Sequence, residues 1–133
     1  MAAALVANYP EVFAGAAFVA GMPVDSARDA ISALRAMESG ATRPSSGWGS
    51  RVSDLAAGRR AYPPISIWQG SNDTVVNPKN AEAMLEQWLE ASGVDPKSYR
   101  TEEKPWGQRR TWSTPGSVPL AFYSIQGMGH AFL

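Results

Sequence analysis

An α/β fold with about three parallel strands and flanking helices is predicted by three observations. Three short apolar runs, within 13–22, 65–68 and 118–125, have the length and composition of strands. Helical patterns occupy residues 1–9, the segment following Asp25 and the segment following Asn77. The resulting order, helix, strand, helix, strand, helix, strand, implies parallel strands joined by right-handed helical crossovers.

Each element has a local reason. "MAAALVANY" (1–9) carries small residues on most faces, as a helix packed closely on a sheet does, and Pro10 stops it. No Ser, Thr, Asp or Asn precedes its first turn. "FAGAAFVAGM" (13–22) reads as a strand buried on both faces, although its alanines also suit a helix. The next helix is expected to be capped by Asp25 or Ser26, with Ala27, Ala30, Ile31, Leu34 and Met37 as its apolar stripe and Gly40 as its stop. Gly, Ser, Pro and Arg then dominate to about residue 64, a surface connection with room for a short helix at 50–58.

The second strand, Ile65 to Trp68, is entered through two prolines. Asn77-Pro78 is an N-cap followed by Pro at the first helical position. Ala81, Met84, Leu85, Trp88 and Leu89 continue that helix at core-facing spacing to Gly93. Residues 94–117 read as a polar connection, and "VPLAFYSI" (118–125) as the third strand.

Composition narrows the function classes. The 133 residues are 44% hydrophobic, enough for one domain core, and carry 12 basic against 12 acidic residues. A neutral chain has no long-range field to attract nucleic acid or an anionic membrane, so neither partner is expected. Arg59-Arg60 and Arg109-Arg110, with Trp106 and Trp112 nearby, read as solvated loop charges. The absence of cysteine excludes disulfides, thiolate metal sites and a cysteine nucleophile. No metal site or cofactor is expected. The apolar N-terminal stretch has no Lys or Arg before Arg28 and is broken by Pro10 and Glu11, so it reads as core, not as a signal peptide or a spanning helix.

In open parallel sheets, chemistry collects in the loops beyond the carboxyl ends of the strands. "QGSNDTVVNP" (69–78) follows the second strand and "GMGH" (127–130) follows the third, which places Asp73 and His130, the only histidine, on that edge. A carboxylate accepting the Nδ1–H of an imidazole fixes its tautomer and stabilises the imidazolium. Acid before histidine, on loops after successive strands, is the chain order of α/β-hydrolases. The plainer readings are a turn former for Asp73 and a surface loop residue for His130.

Three segments, "MAAALVANYPEVFAGAAFVAGMP", "PPISIWQGSNDTVVNPKNAEAMLEQW" and "VPLAFYSIQGMGHAF", together nearly half the chain, resemble the C-terminal half of the polyhydroxybutyrate-depolymerase-type esterases. These are serine hydrolases of the α/β-hydrolase fold. Asp73 falls on the family's acid in Gly-x-x-Asp-x-x-Val, and His130 on its histidine in Gly-x-Gly-His-Ala. Gln69 stands where many members carry His before the Gly.

The resemblance implies that residues 1–133 are a single incomplete α/β-hydrolase domain supplying the Asp and His of a Ser-Asp-His triad. No Gly-x-Ser-x-Gly occurs in the sequence, so no nucleophile is assigned to this chain, which is expected to be inactive alone. The implied substrate is an ester: a polyester or hydroxy-acid ester, an aromatic ester or an acetylated sugar. The implied location is extracellular or periplasmic. A first strand without its neighbours would leave an exposed sheet edge open to self-association. The alternative is a non-catalytic α/β domain that binds a partner or ligand.

Overall fold

A computed structural model of the protein describes residues 1–55, 61–115 and 117–130. One mixed sheet of five strands organises it: β1 (Ala16–Val19), β2 (Ile65–Gly70), β3 (Tyr99–Lys104), β4 (Gly107–Thr114) and β5 (Ser117–Ile125), in the order β1-β2-β5-β4-β3. β1, β2 and β5 are parallel, with Phe18 opposite Ile67 and Ile67 opposite Phe122. The α/β class holds, and these are the three strands expected from the sequence.

β3 and β4 form an antiparallel hairpin continuing into β5, where a polar connection was expected. The hairpin is held mainly by cross-strand pairs, which a hydrophobic pattern does not reveal. Arg109 faces Glu102 at 2.6 Å, the Gln108 amide donates to Glu103 at 2.6 Å, and Tyr99 packs on Trp112 with ring centroids 5.4 Å apart.

The helices are α1 (Ala2–Asn8), α2 (Ala30–Ser39), α3 (Gly49–Leu55) and α4 (Lys79–Ser92). Pro10 ends α1 by opening a single 3-10 turn, Pro10–Val12. The earlier part of the expected 50–58 helix is α3; residues 56–60, including Arg59-Arg60, lie outside the described residues. α4 begins one residue later than expected, with Pro78 and not Asn77 at its N-cap, although Asn77 Oδ1 accepts the Lys79 amide N–H; it ends at Gly93, whose φ of 66° suits glycine. Its stripe of Ala81, Met84, Leu85, Trp88 and Leu89 is buried against Phe18, Ile65, Ile67, Leu120 and Phe122. Each large apolar side chain removed from water there contributes about 1.5–3 kcal/mol. Trp88 sits between Phe18 and the edge of Tyr62.

Three further expectations are corrected. α2 starts at neither Asp25 nor Ser26. Asp25 has a left-handed φ of 57° and pairs with Arg51, whereas Asp29 accepts the Ser32 amide N–H and Ser32 Oγ accepts that of Asp29, a reciprocal cap. Nor does the expected α2 stripe face the core: Ile31 and Leu34 are 65% and 59% exposed, and Ala36 is the helix's buried residue. β1 is also not buried on both faces. It is the last strand of its side of the sheet, and Ala17 and Val19 are exposed beside buried Phe18.

Two buried amides of α4 tie loops to this frame. Gln87 accepts from the Val24 N–H at 2.7 Å and donates to the Val24 and Trp48 carbonyls; Asn80 accepts from the Ala41 N–H and donates to the Ala36 carbonyl. Backbone groups that would otherwise be buried unpaired are thereby satisfied. Arg110 of the hairpin lies over Phe122 at 4.6 Å and pairs with Glu82 of α4, closing the core beneath β4. Among the described residues, no helix is long and apolar enough to cross a membrane.

Candidate active site

β2 and β5 are hydrogen-bonded parallel neighbours, so the loops leaving their carboxyl ends are adjacent by construction. Those loops are laced together. The Ser71 N–H donates to the Ile125 carbonyl, the Asn72 N–H to the Met128 carbonyl at 3.0 Å, and the Gly127 N–H to Ser71 Oγ at 2.9 Å. Two glycines allow the approach. Gly127 has a left-handed φ of 75°. A Cβ on Gly70 would lie 2.7 Å from the Met128 carbonyl carbon and closer still to its oxygen.

Asp73 follows directly from this lacing. It is 5% exposed, and its Oδ1 accepts the backbone N–H groups of Val75 (2.9 Å) and Val76 (2.8 Å), an Asx-type turn. Its Oδ2 accepts from Gln69 Nε2 at 3.1 Å and pairs with His130 Nδ1 at 2.9 Å. The turn-forming role and the contact with histidine therefore coexist in one side chain. Burial alone would push this carboxyl up, but the Val76 N–H, the His130 ring, the Val75 N–H and the Gln69 amide outweigh it and hold it below the ordinary value of 3.8.

An ionised carboxylate only accepts, so His130 Nδ1 carries the hydrogen, and in the neutral ring Nε2 presents a lone pair. The His130 side chain is 40% exposed while that of Asp73 is fully covered. An oriented imidazole with an accessible Nε2 can take a proton from a hydroxyl and return it to a leaving group. Among the described residues, no three His, Asp or Glu side chains cluster as a metal ion requires.

The pH dependence has a definite sign. A carboxyl held lower in the folded than in the unfolded state contributes stability that is complete above about 3.8 and lost as pH falls through the folded value. Urea unfolding between pH ~6 and ~2 is therefore expected to show a stability gap between the native chain and Asp73→Asn that narrows on acidification. A constant gap would contradict the network.

The comparisons with known proteins meet this geometry. A family model described as Esterase PHB depolymerase matches residues 1–104. The chain belongs to this family. Poly(3-hydroxyalkanoate) depolymerase C of Paucimonas lemoignei is 35% identical over 136 residues, 98% of this chain and 32% of that protein. Acetylxylan esterase of Coprinopsis cinerea is 30% identical, covering 95% of this chain and 35% of that enzyme. Feruloyl esterase B of Thermothelomyces thermophilus is 32% identical, covering 95% and 45%. The chain thus spans less than half the length of these relatives. The solved acetyl xylan esterase from Aspergillus awamori shares the fold, with a TM-score of 0.72 at 24% identity over 97% of this chain and 49% of that one.

Asp73 and His130 are the residues singled out from the sequence, and the structure brings them together. The sequence reading did not find the supporting partners. Gln69 stood out there only as a departure from the family pattern; strand alternation with Ile65 and Ile67 is the signal that turns its amide inward. The Val75 and Val76 amides follow from Asp at the head of a tight turn. Arg109 and Arg110, expected as solvated loop charges, are instead residues of β4, Arg109 paired with Glu102 across the hairpin and Arg110 with Glu82 of α4; Trp112 is buried and Trp106 is 37% exposed.

Proposed function

We propose that Asp73 and His130 are the acid and the base of a serine carboxylic-ester hydrolase whose nucleophile lies on a segment outside these 133 residues. The observation that carries this reading is the 2.9 Å contact between a buried, fully hydrogen-bonded carboxylate and Nδ1 of the chain's sole imidazole. The serine hydroxyl attacks the ester carbonyl carbon while His130 Nε2 takes its proton. The tetrahedral intermediate collapses as the same nitrogen protonates the departing alcohol, and water then repeats the cycle to release the acid. Asp73 holds the ring and stabilises its charged form. The donors for the oxyanion come with the nucleophile's segment, and this chain alone is inactive. Substrates are esters of a hydroxy acid, an aromatic acid or an acetylated sugar, the classes in the relatives' names, and the setting is extracellular or periplasmic.

The deciding polypeptide is this chain joined to a segment bearing Gly-x-Ser-x-Gly. The reading frame upstream of the Met1 codon is one source, and the corresponding portion of the P. lemoignei depolymerase is a surrogate. Expected is hydrolysis of p-nitrophenyl acetate, butyrate or ferulate esters that disappears with His130→Ala. A folded, joined polypeptide that binds esters without cleaving them would instead favour the non-catalytic binding domain.

Among the described residues the outer edge of β1 is unpaired, and this carries a second expectation. Its backbone groups and exposed Val19 are open to another strand, so the 133-residue chain alone self-associates. Sedimentation velocity should show concentration-dependent species that Val19→Lys suppresses; a monomer at every concentration would refute it.

A further inference from the structure

Gln69 is buried to 3% exposure at the end of β2, yet its side chain is not there to fill space. Its Nε2 faces three acceptors: Asp73 Oδ2 at 3.1 Å, the Gly70 carbonyl at 3.2 Å and the Val76 carbonyl at 3.5 Å. Among the described residues its own Oε1 is buried with no partner. Leaving a buried carbonyl oxygen unpaired is unfavourable, and an apolar residue of the same length would avoid it. The amide orientation is dictated by the three oxygens it meets, since turning it over would set oxygen against oxygen.

The carboxylate of Asp73 has about four lone-pair directions, and four donors occupy them. Val75 and Val76 fill Oδ1, and Gln69 and His130 share Oδ2. The backbone pair alone lets the carboxylate rock about its Oδ1 bonds. The Gln69 N–H sits on the other oxygen and also lies within reach of the Gly70 and Val76 carbonyls, while the turn itself is closed by Asp73 Oδ1.

We propose that Gln69 is a positioning residue, whose amide locks the plane of the Asp73 carboxylate so that Oδ2 stays aimed at His130 Nδ1. This inference rests on the Asp–His reading above and adds the group that keeps the pair aligned. Gln69 bonds Asp73 and two backbone carbonyls, and acts on the imidazole only through Asp73.

The chain's single histidine makes the test direct. In the native 133-residue chain, the Nδ1 proton of His130 should give one downfield, exchange-protected NMR signal. In Gln69→Met, that proton should exchange with water at least about tenfold faster, while the Val75 and Val76 amide protons keep their protection. Gln69→Leu, which removes the donor without adding a charge, should do the same and supplies the reading where the Met variant does not fold. An imidazole proton whose exchange is unchanged in the folded variants overturns the proposal. Loss of Val75 and Val76 protection in step with the imidazole proton also overturns it, because the amide would then only hold the turn together. A native chain with no protected imidazole proton is a different failure, of the Asp–His pair itself.

Discussion

Asp73→Asn, in a polypeptide that carries the nucleophile, is expected to lower kcat by about 10,000-fold with KM little changed. The carboxylate is ringed by four donors, and an amide can accept on one side only. With its oxygen toward Val75 and Val76, the Asn NH2 faces His130 Nδ1. That nitrogen must then accept, the ring hydrogen moves to Nε2, and the nitrogen needed as base is blocked. With its oxygen toward His130, the NH2 is driven against two backbone N–H groups and the turn is strained. Neither orientation preserves both the loop and the tautomer. Steady-state kinetics on a soluble p-nitrophenyl ester decide the matter, and activity within tenfold of the native level would remove Asp73 from the mechanism.

Gly70→Ala is expected to destabilise the fold by about 3 kcal/mol or more. The added methyl would overlap the Met128 carbonyl, whose oxygen accepts the Asn72 N–H across the two loops. Backbone cannot yield there as a flexible side chain would. Relief requires the loop after β5 to lift from the loop after β2, which also parts His130 from Asp73. Urea unfolding should show a lowered midpoint, and the protected imidazole proton should vanish together with it. An unchanged midpoint would mean that the loops are not in contact at this point.

The elements legible from the sequence are those whose stability comes from burying apolar surface. Ile65 and Ile67 with their preceding prolines, and the α4 stripe between Asn77 and Gly93, are readable because hydrophobic spacing and terminal residues agree. The β3–β4 hairpin is not, because Glu102, Arg109, Glu103 and Gln108 hold it by polar pairing across strands. α2 misleads in the opposite sense: Ile31 and Leu34 have core-like spacing but face outward. At the site, strand order places Asp73 and His130 on a common edge and the family likeness singles them out. Gln69 escapes notice because a glutamine after an apolar run carries no mark of what its amide will touch.

The Asp73–His130 contact joins positions 57 apart, and the whole of α4 and the β3–β4 hairpin lie between them. Both intervening pieces close on near neighbours and can organise within microseconds. Each, once formed, shortens the free chain that must be gathered before β5 can dock beside β2. The parallel pairing of β5 with β2 joins residues far apart in sequence and spends loop-closure entropy before its contacts are made. The acid–base pair therefore waits on the seating of β5 beside β2, and an aligned imidazole reports that this central pairing is complete.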